Sequence, residues 1–298
     1  MSTFFTFIKL LAKPKKMFRP LATRGIFKWM SDEAYLRALY YCELDKTLDL
    51  QKPEGFNAKI QWLKLYDRNP EYSRWVDKET AKEMAGEKIG YEHVVPLISS
   101  WHSPDDIDFN KLPEKCVLKC NHDQGSTIFI DRKKGIKELE IKKHFSKCLK
   151  KNTFIATREW PYKSIEPKII CEPFLEEDII DYKFFCFNGV PDFVNIGQKT
   201  NNDHVMHISF VGFDWKPIPF QRSDFAPVSP IPEKPEKLEE MIEIARKLAQ
   251  GTKFVRIDLF CVKSNVYFSE FTLYPTSGLI KFDPEIGDSI LGDKLLIS

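Results

Sequence analysis

Residues 254–278, FVRIDLFCVKSNVYFSEFTLYPTSG, are the stretch that decides the fold of the second half of this chain. Apolar and polar residues alternate along both of its halves, which predicts two strands joined by a short polar turn. Asp258 stands on the first strand beside Arg256, and Glu270 stands on the second. Carboxylates on such apolar strands are costly unless a cation meets them. The pattern therefore indicates either two rim carboxylates paired with lysines or a site for a divalent metal ion, such as the Mg²⁺ that accompanies substrate phosphates.

The turn between the two strands distinguishes these interpretations. An odd turn, such as Lys263–Asn265, would place Asp258 opposite Glu270 on one face of the sheet. A two-residue turn at Ser264–Asn265 would place the two carboxylates on opposite faces. The metal hypothesis therefore predicts either an odd turn or a β-bulge.

Length and composition limit the class of protein. At 298 residues the chain is long for one compact domain, which favours two lobes. Hydrophobic residues at 43% and charged residues at 30% exclude general disorder, and a net charge of +2 gives no indication of nucleic-acid binding. The seven cysteines form no CxxC pair, which predicts free thiols in a reducing compartment and no structural zinc. No apolar run approaches the roughly 18 residues that span a bilayer, so we expect a cytoplasmic protein.

The first 30 residues carry seven Lys or Arg and no acid, with apolar residues clustered at the front. Two interpretations remain open. A peripheral helix could rest on an anionic membrane surface or an acidic glycan, which would bring the protein to the inner face of the membrane. Alternatively, the helix packs its aromatic side chains on the protein while its lysines face water.

Cations recur on the other apolar strands. Lys119 ends the strand KCVLK and precedes the polar loop NHDQGS, and Lys183 lies on the strand DYKFFCFNG. A lysine at a strand end beside exposed amides suits phosphate oxygens, although a snorkelling lysine is commoner. Together with Arg256, Asp258 and Glu270, these lysines favour a nucleotide-phosphate site with Mg²⁺ over isolated surface pairs. Neither a Walker motif nor a GxGxxG motif occurs, so a P-loop or a Rossmann site is not supported.

Several blocks of the sequence resemble the TupA-like branch of the ATP-grasp superfamily, which is linked to teichuronopeptide and capsular polysaccharide synthesis. The blocks are FNAKIQWLKLYDR (56–68), DKETAKEMAGEKIGYEHVVPLI (77–98), KLPEKCVLKCNH (111–122), REWPYKSIEPKIICEPFLE (158–176), IDYKFFCFNGVPDF (180–193) and the opening stretch 254–278. The resemblance implies an α+β ATP-grasp fold, in which two lobes close on ATP. We expect a helical extension over 1–75, a first lobe over 76–175 and a second lobe over 176–298. Within the extension, Asn57 is expected to cap a helix over about residues 57–66.

The resemblance also assigns roles to single residues. Phosphate and nucleotide contacts would come from Lys119, His122, Gly125, Ser126, Glu172, Phe174, Asp178, Lys183 and Arg256, with Lys183 and Arg256 also acting in catalysis. The metal ligands would be Asp258, Glu270 and Thr272. Two departures from the family pattern matter: the phosphate loop NHDQGS is poorer in glycine, and Thr272 stands where most ATP-grasp enzymes have Asn.

The function implied is that of an ATP-dependent carboxylate–amine ligase that works through an acyl phosphate. The substrates would be a uronic-acid carboxylate of a surface polysaccharide or its precursor and an amino acid. Trp160 and Tyr162 are candidates for a lid, and the residues placed to touch the acceptor are Tyr274, Thr276, Ser277 and Gly278. Two alternatives stay open: a sugar kinase with the same ATP site, and a non-catalytic or glycosyltransferase-like component of a polysaccharide complex.

Overall fold

A computed structural model describes residues 14–176, 179–199 and 205–297. Its helices are α1 (Pro14–Thr23), α2 (Asp32–Leu44), α3 (Phe56–Tyr66), α4 (Tyr72–Val76), α5 (Thr80–Ile89), α6 (Glu138–Cys148), α7 (Thr153–Thr157), α8 (Leu238–Ala249) and α9 (Ile286–Lys294). Its strands are β1 (Ser99–Trp101), β2 (Lys115–Cys120), β3 (Ile128–Asp131), β4 (Ile169–Pro173), β5 (Asp181–Phe187), β6 (Val190–Lys199), β7 (Met206–Val211), β8 (Gln221–Arg222), β9 (Phe254–Val262), β10 (Asn265–Thr272) and β11 (Phe282–Asp283). Within the described ranges, no helix is both long enough and apolar enough to cross a membrane.

Two main sheets, of four and five strands, accompany a short pair formed by β8 and β11. The four-stranded sheet, called the smaller sheet, has the order β1-β4-β2-β3, and its neighbouring strands are antiparallel. Alternation along β2 gives the sheet its two faces, because successive side chains of a strand point to opposite sides. Cys116, Leu118 and Cys120 are fully buried in a core that includes Ile141 and Phe145 of α6. The other face carries Val117 and Lys119, with Lys115 at the start of the strand.

The larger sheet has the order β10-β9-β5-β6-β7 and is antiparallel throughout. Phe254 of β9 and Phe187 of β5 are register partners, and both rings pack against Phe56 of α3, at 5.1 and 6.0 Å between centroids. On the opposite face of β9, Val255, Ile257 and Leu259 are fully buried. The amphipathic helix α8 packs against β5, β6 and β9 and completes this core.

The hairpin between β9 and β10 tests the predicted turn. Val262 pairs with Asn265, so the turn has two residues, Lys263 and Ser264, both with positive φ (50° and 61°). An odd turn, one of the two arrangements that the metal hypothesis allowed, is therefore not the one that this hairpin has. The register shifts between Phe268 and Glu270, however, and this β-bulge brings Glu270 opposite Asp258. The bulge that the metal hypothesis required is confirmed.

The N-terminal helices belong to two different cores. Helices α1 and α2 share a core that contains Ala22, Tyr35 and Leu39. Helix α3 packs largely on the larger sheet through Phe56 and Ile60. The helix begins at Phe56 after Gly55, so the prediction of Asn57 as its cap is wrong. The Asn57 side chain instead lies buried, where it donates to the Ile280 carbonyl oxygen and accepts from the Ile280 amide.

Candidate functional site

A row of polar side chains crosses the larger sheet on one face. Glu270 pairs with Asp258, Asp258 with Lys183, and Lys183 with Asn195, so the row runs over four strands from β10 to β6. Arg256 lies two residues from Asp258 on β9 and therefore shares this face. The sheet register thus brings together four of the charged residues that the sequence singled out.

Asp258 is the most heavily engaged member of the row. Arg256 donates to both of its carboxylate oxygens, Nε to Oδ1 at 2.7 Å and Nη2 to Oδ2 at 2.6 Å. Lys183 donates to Oδ2 at 3.2 Å and also pairs with Asp181. Burial would raise the pKa of Asp258, but attraction to Arg256 and then to Lys183 outweighs it, so the pKa lies below its usual value. Asp258 is therefore a carboxylate at neutral pH.

Glu270 is held more loosely. Its Oε1 lies 3.7 Å from Arg256 Nη2 and its Oε2 lies 3.9 Å from Lys78 Nζ, both longer than a hydrogen bond. Its side chain keeps 27% of its surface exposed. Two further oxygens in this part of the sheet, Asn195 Oδ1 and Asp181 Oδ1, are buried without a hydrogen-bond partner among the described residues. The row therefore keeps unused ligand capacity.

The smaller sheet carries a second charged group. Lys119 Nζ lies 2.7 Å from Glu172 Oε2, and Lys82 Nζ lies 2.9 Å from Glu172 Oε1. Burial would raise the pKa of Glu172, but attraction to Lys119 and Lys82 outweighs it and holds that pKa below its usual value. Burial lowers the pKa of Lys82 to about 8. The three side chains therefore form a compact ionised group with one excess positive charge while both lysines are protonated.

An apolar surface adjoins this charged group. Val117 pairs with both Glu172 and Phe129, which places these residues side by side across β4, β2 and β3. Phe129 is 63% exposed, and its ring meets the Phe174 ring edge-on at 6.0 Å. Lys115 Nζ lies 5.3 Å from the centre of the Phe174 ring. An exposed aromatic ring beside a buried charged group suits a planar, partly apolar ligand.

The loop 121–127 joins β2 to β3 and contains the predicted phosphate residues. The Ser126 hydroxyl accepts from the Cys120 amide at 2.8 Å and donates to Asp123 Oδ1 at 2.5 Å. His122 Nδ1 contacts Asn121 Oδ1 at 3.2 Å, while its Nε2 is buried without a partner among the described residues. Gly125 has φ +82°, a conformation that glycine adopts without strain. The loop is thus shaped by its own side chains.

Lys78 connects the two sheets. Its Nζ donates to the Asp123 carbonyl oxygen of the loop at 2.6 Å and lies 3.9 Å from Glu270 Oε2 on β10. Sequence reasoning missed this lysine, although Asp77-Lys78 opens one of the blocks quoted above. Its contacts place the loop and the Glu270 end of the charged row on either side of one lysine side chain, and we call the region between them the cleft.

A family model described as TupA-like ATPgrasp matches residues 58–296 of this chain. The chain belongs to the TupA-like ATP-grasp family. Its architecture is accordingly the α+β ATP-grasp fold. The match begins inside α3.

Solved ATP-grasp structures show a general likeness. The chain is similar to an L-amino acid ligase from Bacillus licheniformis, with 14% identity and a TM-score of 0.47 over 84% of this chain and 57% of that one. It is also similar to a D-alanine–D-alanine ligase from Bacillus anthracis complexed with ATP, with 17% identity and a TM-score of 0.43 over 83% and 69%. The ATP-grasp ligase PsnB complexed with a minimal precursor, Mg and ADP matches with 10% identity and a TM-score of 0.39 over 73% and 57%.

This chain spans little more than half the length of the PsnB and L-amino acid ligase structures. Because all three TM-scores are below 0.5, the assignment to the ATP-grasp family rests on the sequence match. Comparison with curated proteins finds no match.

The predicted lid residues are partly buried. Trp160 Nε1 donates to the Asp67 carbonyl oxygen at 3.1 Å, and its ring lies 6.3 Å from that of Tyr72. Burial raises the pKa of Tyr162, and the Glu159 and Glu270 carboxylates raise it further. Tyr162 therefore lies close enough to Glu159 and to Glu270 to feel both charges, and its place as a substrate contact stays a prediction.

The predicted acceptor residues form a left-handed turn directly after β10. Thr276, Ser277 and Gly278 have φ values of 50°, 59° and 65°, which is unusual for a β-branched residue such as Thr276. Arg222 Nη1 donates to Thr276 Oγ1 at 3.1 Å. Tyr274 is buried, and its hydroxyl has no hydrogen-bond partner in the described part of the chain. Asp178, the predicted ribose contact, lies outside the described residues.

Sequence reasoning missed the residues that hold this turn. Gln61 Nε2 donates to the carbonyl oxygens of Ser277 and Gly278, and Lys64 Nζ donates to the Ser277 carbonyl oxygen at 2.8 Å and to its hydroxyl at 2.6 Å. The available signal was the spacing of Asn57, Gln61 and Lys64, which places three polar side chains on one face of α3.

Proposed function

We propose that the cleft binds ATP with Mg²⁺ and that the protein is an ATP-dependent carboxylate–amine ligase. The observation that carries this proposal is the row Glu270–Asp258–Lys183 with Arg256 beside it. Phosphoryl transfer depends mainly on positioning and on neutralising charge, and a cleft lined by cations and acids supplies both. Membership of the ATP-grasp family supports the same conclusion.

The nucleotide would lie along the cleft between the sheets. The phosphates would meet Lys119, Lys78 and Lys183, together with the loop that contains His122, Gly125 and Ser126. The adenine would rest on Phe174 and the exposed Phe129, next to Glu172. Asp178 remains the proposed ribose contact. In this arrangement the apolar surface would hold the adenine, and the charged row would hold the phosphates.

The chain's carboxylates fit a magnesium ion. The bulge puts Asp258 and Glu270 in register on one face, and the Glu270 oxygens make only contacts of 3.7 and 3.9 Å with cations among the described residues. Thr272 is the register partner of Arg256 and would add a hydroxyl. In the described ranges no group of three or more His, Cys, Asp or Glu side chains could hold a metal. Two carboxylates suffice for Mg²⁺, which usually takes one or two of them together with substrate phosphates. The ion would supply charge neutralisation of the transferred phosphoryl group.

The proposed reaction has two steps. A substrate carboxylate oxygen attacks the γ-phosphorus of ATP, the bond to the bridging oxygen breaks, and ADP leaves. The amine nitrogen then attacks the carbonyl carbon of the acyl phosphate, the amide bond forms, and inorganic phosphate leaves as the nitrogen loses its proton. Arg256 and Lys183 would hold the transferred oxygens during the first step. Because water would hydrolyse the acyl phosphate, Trp160 and Tyr162 are proposed to shield it.

The acceptor is proposed to bind at the turn after β10. Tyr274, Thr276, Ser277 and Gly278 follow the metal strand directly, so a substrate held there lies next to the phosphates. The proposed substrates are a uronic acid of a surface polysaccharide or its precursor, as the carboxylate, and an amino acid, as the amine. This pairing is supported by the resemblance to the TupA-like branch, and it implies a cytoplasmic site of action.

A phosphate-release assay tests the proposal directly. The protein is incubated with ATP and Mg²⁺, a panel of uronic acids and a panel of amino acids, and the products are identified by mass spectrometry. We expect phosphate release that requires both partners and a product mass equal to their sum less water. A phosphorylated sugar formed without an amine would replace the ligase by a kinase. Absence of ATP–Mg²⁺ binding at millimolar concentration in calorimetry would overturn both.

A further inference from the structure

The loop between α1 and α2 holds two large apolar side chains in water. Trp29 is 80% exposed and Ile26 is 54% exposed. Between and beside them, Phe27 and Met30 turn inward and pack against the core of α1 and α2. The loop therefore separates its apolar residues into one inward pair and one outward pair.

The loop backbone is fixed, so the exposure of the outward pair is a built feature. The Phe27 ring stacks on Phe18 of α1, with centroids 4.6 Å apart. Arg158, which is itself buried, donates to the Phe27 carbonyl oxygen at 2.8 Å and lies over the Tyr35 ring at 4.4 Å. These contacts tie the loop to α1, to α2 and to the residue that ends α7.

Positive charge flanks the exposed pair in the sequence. Arg24 and Lys28 stand on either side of Ile26 along the chain and are exposed. Residues 1–30 contain seven Lys or Arg and no Asp or Glu, and the part that precedes the described residues is rich in Phe, Ile and Leu. An aromatic ring among cations suits the interface of a bilayer, where the ring enters the headgroup region and the cations meet anionic lipids.

We propose that the surface formed by Arg24, Ile26, Lys28 and Trp29 docks this protein on an anionic membrane. The proposal goes beyond the function above and does not depend on it. A membrane is favoured over a soluble polyanion because cations alone would satisfy a polyanion, and they would not explain two apolar side chains presented together. Two weak attractions, apolar insertion and charge, are the combination that gives reversible membrane binding.

Vesicle co-sedimentation of the full-length protein tests the proposal. We expect binding to phosphatidylcholine vesicles that contain about one third phosphatidylglycerol and little binding to phosphatidylcholine alone, with a loss of binding as salt rises. Trp29→Glu and Ile26→Glu should each lower the partition coefficient at least fivefold. Leu139→Glu is the matched control, because Leu139 is 84% exposed on the lysine-rich helix α6 and the substitution changes the net charge equally.

Three results would overturn the proposal. One is wild-type protein that stays in solution with anionic vesicles. Another is a loss of binding with Leu139→Glu and not with Trp29→Glu, which would move the contact to α6. The third is binding of Trp29→Glu equal to wild type together with release by a soluble polyuronate, which would identify an acidic glycan as the partner.

Discussion

Two clusters of charged side chains in this molecule are built differently. One is the row that contains Glu270, and the other surrounds Lys64 beneath the turn 276–278. In the cleft, the contacts that reach Glu270 are 3.7 and 3.9 Å long, and part of this side chain is open to solvent. Beneath the turn 276–278, Lys64 donates to three oxygens within 3.0 Å, namely Thr157 O, Ser277 O and Ser277 Oγ. The first cluster keeps capacity for a ligand, whereas in the second the Lys64 ammonium already donates to three oxygens.

The difference indicates how charged residues that bind a substrate can be distinguished from charged residues that stabilise the fold. A group that exchanges partners with a substrate must be reachable and incompletely satisfied. A buried charge that supports structure must be fully paired, because an unpaired one costs several kcal/mol. Substitutions in the cleft should therefore affect turnover, whereas substitutions under the turn should affect stability.

The largest effect is expected for Glu270→Gln. The amide keeps the shape of the side chain but loses the charge proposed to hold Mg²⁺, so turnover should fall about 1,000-fold or more. Stability should change little, because Glu270 makes only long contacts. Phosphate release and thermal unfolding measure the two quantities. Glu243→Gln, on the exposed side of α8, is the control, and activity retained in Glu270→Gln would remove the metal assignment.

Lys64→Met should show the opposite behaviour. Removing the Lys64 ammonium leaves three oxygens without their buried donor and takes away the strongest attraction on the buried Glu159 carboxylate, so the free energy of unfolding should fall by about 3–5 kcal/mol. The double variant Lys64→Met/Glu159→Gln should recover part of the loss in urea denaturation. A single variant as stable as wild type would contradict the structural role.

Much of the cleft was readable from the sequence, because each strand contributes its charges within a local alternating pattern. Arg256, Asp258 and Glu270 lie within 15 residues, and requiring the two acids to share a face limited the hairpin to an odd turn or a bulge, of which the structure has the bulge. Lys64 was not readable in this way, since its partner Ser277 is 213 positions away along the chain. Only the packing of α3 on the larger sheet brings the two residues together.

Local signals also misled where tertiary contacts decided the outcome. Asn57 resembles a helix cap by residue type and position. The helix instead begins one residue earlier, and the Asn57 side chain satisfies both backbone groups of Ile280. Phe129 gave no signal, because an exposed aromatic residue on a strand is indistinguishable in sequence from a buried one. Its exposure depends on which side of the smaller sheet faces the cleft.

The pH dependence of stability sharpens the same contrast. Burial raises the pKa of Glu159 above its ordinary value of 4.5. A carboxyl with a raised folded-state pKa contributes stability below the unfolded value and loses it as pH rises through the folded value. In Lys64→Met the attraction of Lys64 is gone and the folded-state pKa of Glu159 should rise further, so the deficit relative to wild type should grow once pH passes the raised folded-state pKa of Glu159 in wild type, by up to about 1.4 kcal/mol per pH unit. Urea titrations from pH 4 to 8 measure it, and a deficit independent of pH would contradict the electrostatic attraction between the two residues.

The smallest effect on stability is expected for Thr276→Gly. This residue lies in the turn that is proposed to contact the acceptor. Glycine relieves the left-handed strain of a β-branched residue, roughly 1–2 kcal/mol, but loses the hydrogen bond from Arg222 and gains freedom in the unfolded chain. These contributions nearly cancel, so the free energy of unfolding should stay within about 1 kcal/mol of wild type. The KM for the proposed uronic acid should nevertheless rise while the KM for ATP stays constant, because the turn is proposed to contact the acceptor and not the nucleotide. Thr276→Ser keeps the hydroxyl and is the matched control. If both KM values rise together, the turn supports the whole cleft and is not specific to the acceptor.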